Sequence, residues 1–132
     1  MKRECDRLFS LYVRMKAKAC HRCGRFRGLG PEHLECAHVL SRRFNRTRWN
    51  EDNAFALCQA CHRFLGSGSM SGKATPMDRF FEAKRGAPLL WTLRALARVK
   101  TKFYPDTVEM LRWRALSVGA VLKPIPERDI PF

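Results

Sequence analysis

The chain has 132 residues, with 26 Lys and Arg against 12 Asp and Glu, a formal charge of +14 and 45% hydrophobic residues. That length suits one domain, or a small domain with an appendage, and the charge favours a polyanion such as nucleic acid over a small neutral ligand. No apolar run approaches the ~18 residues of a membrane span and no signal-peptide h-region is present, which sets aside a membrane and points to a cytoplasmic protein.

Residues 3–18 predict a helix, because Leu8, Leu11, Tyr12 and Met15 recur at i, i+3, i+4 and i+7 and form a stripe that another element must cover. Arg3, Arg7, Arg14 and Lys18 fall on another face, which is either solvated or a nucleic-acid contact. Cys20-His-Arg-Cys23-Gly24 has the spacing of a zinc knuckle, with Gly24 supplying the permissive backbone after the second thiolate. Gly28, Gly30 and Pro31 predict a turn, and residues 34–40 predict a short strand carrying His38. Arg42, Arg43, Arg46 and Arg48 lie among Ser41, Asn45, Thr47 and Asn50, which predicts a loop closed by Trp49. Residues 53–64 predict a helix, with Asp52 or Asn53 near its start and Cys58, Cys61 and His62 on it.

The run GSGSMSG at 66–72 divides residues 1–66 from a second part, 67–132. Three short helices are predicted in that part. Thr75-Pro76 opens one that Gly86 ends, Pro88 opens one reaching about Lys100, and Pro105 opens one that Gly119 ends. Leu89, Leu93 and Leu96, and then Val108, Leu111, Ala115 and Val118, give the last two apolar stripes suited to covering the N-terminal helix. The Pro-rich tail from Lys123 predicts extended chain.

Six cysteines in a chain without a secretion signal read as metal ligands before disulfides. Cys20 and Cys23 can join Cys58 and Cys61 in a Cys₄ zinc site, provided that the 34 residues between the pairs fold as their own hairpin and loop. Four thiolates leave no open position, so such a site stabilises rather than catalyses. Cys5 and Cys36 fall outside the pairs and read as small buried hydrophobes.

His38, Asn53, His62 and the arginines are then left for other work. Hydrolysis of a phosphodiester needs a base for water, a metal at the phosphate and cations that hold the strand, and residues 35–62 contain candidates for all three. The competing reading is a non-catalytic zinc module that binds nucleic acid, in which His38 is a packed core residue.

The pattern AHVLSR…N…LCxxCH resembles the HNH nucleases of the ββα-metal class, in the variety tied by two Cys-x-x-Cys pairs. The resemblance implies His38 as general base, Asn53 fixing the loop behind that base or joining the metal shell, and His62 as a ligand of a divalent ion. CDRLFSLYVRMKAKACHRCG, the segment SRRF..TRW..DNAFALCQACHRFLGSG and the basic helical second half are similar to the phage recombination proteins called NinG or Rap, nucleases of branched DNA. That likeness spans most of residues 5–115 and is densest from Cys20 to Gly66. The HNH pattern places an acidic metal ligand just before the base, where this chain has Ala37. Glu35 shares a strand face with Ala37 and is either the substitute ligand or a salt-bridge partner of a nearby arginine.

The expectation is thus an α+β protein. A zinc-tied ββα-metal core is flanked by an N-terminal helix and a C-terminal helical appendage. It would act as a DNA endonuclease with structural Zn²⁺ and catalytic Mg²⁺ or Mn²⁺. Arg42, Arg43, Arg46 and Arg48 would hold phosphates. Branched DNA is the expected substrate, a homodimer on DNA the expected assembly, and the host-cell cytoplasm the expected location for a phage-encoded chain. No residue here distinguishes DNA from RNA.

Overall fold

A computed structural model describes residues 1–103 and 106–123. Helix α1 (Lys2–Ala17) follows the predicted stripe, burying Cys5, Leu8, Phe9, Tyr12 and Val13. It ends where Lys18 turns left-handed, at φ 62°, and donates its N–H back to the Arg14 carbonyl. Arg14, read from sequence as a surface cation, instead bonds the carbonyls of Ser10 and Pro31, tying α1 to the turn before the first strand.

Strand β1 (Glu35–His38) pairs antiparallel with β2 (Ala54–Leu57), and Glu35 stands opposite Leu57 while His38 stands opposite Ala54. Between them the arginine segment is not wholly a loop, because Asn45–Arg48 forms one helical turn, α2. The single helix predicted over 53–64 is corrected to a strand followed by a helix. Ala54, Phe55, Ala56 and Leu57 are all buried, and a short all-apolar run carries no periodicity to tell strand from buried helix. Helix α3 (Gln59–Leu65) begins only after Cys58, which is its N-cap. At the turn before β2 the capping residue is Asn50, whose side chain accepts from the Asp52 N–H, rather than Asp52.

The glycine-rich segment after α3 is bonded at several points. Gly68 donates its N–H to the Val39 carbonyl at 2.8 Å. A Cβ at Gly68 would meet Asp78 Oδ1 at 2.8 Å and Val39 Cγ1 at 2.9 Å, so only glycine fits there. Asp78 accepts from the Ser69 and Thr75 N–H groups and pairs with Arg94 at 3.3 Å, with both side chains buried. The same Asp78 completes a capping box with Thr75 at the start of α4 (Pro76–Arg85).

Helix α5 (Ala87–Ala97) packs on α4 and α2, and α6 (Asp106–Ser117) packs on α1. Val108, Leu111 and Ala115 cover the α1 stripe, as the sequence predicts for the last helix, whereas α5 lies elsewhere. One continuous hydrophobic cluster runs from Cys5 and Phe9 through Ala37 and Phe55 to Phe81, Leu93 and Leu111. Its aromatic centre is Phe55, edge-on to Phe80 and Phe81 and covered by the Arg85 guanidinium at 4.0 Å. The predicted Pro105 start and the extended tail beyond Lys123 lie outside the described residues. Among the described residues no helix is long and apolar enough to cross a membrane.

Candidate functional site

The knuckle of Cys20 and Cys23 is closed by backbone bonds, from the Cys20 N–H to the Arg25 carbonyl and from the Gly24 N–H to the Cys20 carbonyl. His21 docks it on β2. Its N–H donates to the Ala56 carbonyl at 2.8 Å, and its ring Nδ1 accepts from the Ala56 N–H at 2.9 Å. That pairing brings the knuckle to Cys58 and Cys61, and the four sulfurs all lie within 4.8 Å of one another. Cys23 Sγ and Cys58 Sγ are 3.8 Å apart, far longer than a disulfide. A tetrahedral ion with Zn–S bonds of ~2.3 Å has sulfurs ~3.8 Å apart. Burial raises the Cys20 thiol, but bonds from the backbone of Cys23, Cys58 and Arg22 pull it down to about 6, while burial pushes Cys61 up to about 12. Sulfurs this close cannot all carry charge without a cation among them. The four cysteines form a cluster that can hold a metal such as zinc.

Beside the cluster, Glu35 of β1 meets His62 of α3, with Oε1 and Nδ1 2.8 Å apart and both side chains partly exposed. They line an open cleft of about 350 Å³ with Gln59, Arg63, Gly66 and Ser67. Ala37 shares Glu35's strand face but is fully buried, so an acid at that position would sit in the core, not in the cleft.

His38 is not brought to this pair. Strand alternation turns it to the opposite face, where its ring lies 5.6 Å from Phe9 of α1. Its Nε2 is 2.9 Å from the Arg48 carbonyl, which can only accept, so Nε2 carries the proton and Nδ1 keeps the lone pair. Burial lowers the pKa of His38, so the ring is neutral at pH 7.

Asn53 is fully buried, and its amide joins the two ends of the segment between the strands. Oδ1 accepts from the Leu40 N–H at 2.8 Å, and Nδ2 donates to the carbonyls of Leu40 at 3.1 Å and Thr47 at 3.2 Å. With its amide so occupied and no exposure, Asn53 fixes the loop and has nothing to offer a metal shell.

The four arginines divide. Arg48 is a structural residue, paired bidentately with Asp6 at 2.9 and 2.6 Å. Burial raises the Asp6 carboxyl, but the bonds from Arg48 and the Trp49 indole outweigh it and hold its pKa below the usual carboxylate range. Arg42 reaches Asp6 only at 3.6 Å and is 61% exposed. Arg43 lies over Phe44, and Arg46 is exposed, and neither makes an ion pair with a described residue. Cys5 is fully buried and Cys36 half-buried, and burial pushes their thiols up to about 11 and about 12, consistent with unreactive packing residues.

Sequence reasoning missed Asp6, whose partner Arg48 lies 42 positions away, and His21, whose role depends on an edge of β2 that was read as helix. It also missed Arg63 beside His62, which a helical reading of 59–65 places next to the cleft. Comparison of the chain with known protein families, with characterised proteins and with solved structures finds no match.

Proposed function

We propose that the chain is an HNH endonuclease of the ββα-metal class, a metal-dependent phosphodiester hydrolase of DNA. Branched DNA such as a Holliday junction is its preferred substrate, and a second copy supplies the symmetric cut. The observation that carries this reading is the meeting of Glu35 and His62, from the first strand and the helix of one β–β–α unit, in an open cleft beside Arg63. Their donors are 2.8 Å apart, close to the ~3.0 Å between neighbouring ligands of an octahedral ion with ~2.1 Å bonds. Mg²⁺ or Mn²⁺ keeps several waters, so two protein donors suffice. When bound, such an ion neutralises negative charge at the phosphate. Zn²⁺ on Cys20, Cys23, Cys58 and Cys61 is structural.

The chain's own residues do the remaining work in this reading. His38, neutral and held through Nε2, is assigned as the base that takes a proton from water at Nδ1, a role that needs the substrate to reach the strand face opposite Glu35. Asn53 fixes the turn behind it. Arg42, Arg43 and Arg46 hold phosphates, and Arg48 holds the loop itself. A second reading, a non-catalytic zinc module on nucleic acid, is favoured by one observation, the packing of His38 against Phe9 on the face away from Glu35. Supercoiled plasmid incubated with and without Mg²⁺ separates the two. The nuclease reading expects Mg²⁺-dependent nicking that Glu35→Gln shifts to much higher Mg²⁺; binding without any nicking would establish the adaptor.

A further inference from the structure

A second cleft, of about 440 Å³, adjoins the first and shares Glu35 and Gln59 with it. Its other side is lined by Arg25, Phe26, Glu32 and His33. Phe26 and His33 are stacked nearly parallel, their planes 7° apart and their centroids 5.3 Å apart. The offset leaves ring face uncovered, and the His33 side chain is 42% exposed. With Lys18, Phe26 is also one of the two non-glycine residues among those described that hold a left-handed backbone, at φ 68°, and the only aromatic one. An aromatic side chain adopts that conformation at a cost that its surroundings must offset, and such residues cluster at binding sites. The turn has glycines at 24, 28 and 30 that take positive φ freely, so the strain falls on the residue that carries the ring.

We propose that the Phe26–His33 pair is a stacking platform for an unpaired nucleobase of a DNA strand that runs through both clefts, with Arg25 and Arg63 meeting phosphates on either side of Glu35. Aromatic faces flanked by cations are the general means of holding single strands, because every base has a π-face whatever its sequence. Paired bases in a duplex are stacked on each other and cannot use such a face. The platform therefore selects DNA in which at least one base beside the cleft is unpaired, as at a branch point. This rests on the nuclease reading for what happens at Glu35, but the stacking itself is independent of cleavage.

The test uses a single-stranded oligonucleotide carrying 2-aminopurine, titrated with the full chain in buffer without added Mg²⁺, so that binding is read without cutting. Zinc content is checked in each variant to show that the knuckle is intact. Wild-type protein is expected to quench 2-aminopurine on binding and to bind an all-duplex control more weakly. His33→Ala should lose the quenching and weaken affinity about 5- to 100-fold, the range of one lost base stack, while His33→Tyr keeps both. Unchanged affinity and quenching in His33→Ala would overturn the platform. So would an equal loss in His33→Tyr with zinc retained, since the effect would then belong to the imidazole and not to stacking. Plasmid nicking by the same variants is a separate readout, so a protein that stacks bases but never cuts refutes only the nuclease.

Discussion

Removing the Asn53 amide tests how the site is held. Asn53→Ala deletes three hydrogen bonds and leaves the N–H and carbonyl of Leu40 without partners in a fully buried place, while the Thr47 carbonyl keeps the Asn50 N–H. Each stranded group costs about 1–3 kcal/mol, and since neighbouring losses overlap, the sum for the two is about 2–4 kcal/mol. That is a large share of the ~5–15 kcal/mol a domain has, and at about 4 °C per kcal/mol it lowers Tm by about 8–16 °C. Asn53→Asp is the sharper form. One oxygen still accepts from Leu40, but the other faces two carbonyls and must carry a proton. The folded pKa of that carboxyl is therefore raised above its unfolded value of about 3.9. A raised acid binds more protons when folded, so stability is full below the unfolded pKa and declines as pH rises toward the folded one. The gap between this variant and wild type should widen by about 1.4 kcal/mol per pH unit across that window. Thermal melts of both proteins in half-unit steps from pH 4 to 7, with zinc saturating, measure it. A fall in Tm no larger than that of a surface substitution for Asn53→Ala, or a gap independent of pH for Asn53→Asp, would refute the clamp.

Cys58→Ser removes one of four sulfurs from a cluster that can hold zinc, an ion that contributes roughly 10–16 kcal/mol in small zinc peptides; loss of the cooperative melt and of tightly held metal is expected, and metal analysis of wild type returning none would refute the site. Arg43→Ala with Arg46→Ala should weaken DNA binding alike across sequences and lower the salt slope by about one unit per lost contact. Arg48→Ala should instead lower Tm, because it leaves Asp6 half-buried without its bidentate partner; salt-dependent binding with unchanged Tm would reverse that assignment. His38→Ala should slow cleavage on the order of 10²–10⁴-fold at unchanged DNA affinity. Because burial lowers the His38 pKa, wild-type cleavage should already be on its plateau at pH ~6.5 and above, with its acid limb centred below that value; an acid limb centred above it would place the base elsewhere.

What could be read from the sequence depended on how local the cause is. The two Cys-x-x-Cys pairs announce their chemistry within four residues each, and Pro76 and Gly86 bracket α4 as the capping rules predict. Strand β2 was hidden because AFAL is apolar at every position and its burial comes from both faces, from α1 on one side and the α4 aromatics on the other. The division of labour among the arginines was hidden too. Arg46 and Arg48 are alike in the sequence, and only Asp6, contributed by a helix some 40 residues earlier, makes one structural and leaves the other exposed. Glu35 was placed on the correct strand face by alternation alone. That Ala37 on the same face is fully buried depends on the packing around it and has no local mark.

These distant contacts bear on how the basic loop can work. The segment from 39 to 53 would be a floppy connection by composition, yet it is fixed by three contacts on two adjacent residues, Thr47 and Arg48. Asn53 bonds the Thr47 carbonyl, His38 bonds the Arg48 carbonyl, and Asp6 holds the Arg48 side chain. A flexible loop that meets phosphate loses conformational freedom of about 1–2 kcal/mol per ordered residue, which can consume what an exposed arginine contributes. Here that ordering has already happened on folding, so if Arg42, Arg43 and Arg46 meet phosphate as proposed, they need to restrict only their side chains. The same contacts make the orientation of the His38 ring depend on Asp6, because the residue that anchors the ring through its carbonyl is the one that Asp6 anchors through its guanidinium. In the nuclease reading, the proposed base and the proposed phosphate contacts therefore share one loop, which α1 holds through Asp6 while its Phe9 packs on the His38 ring.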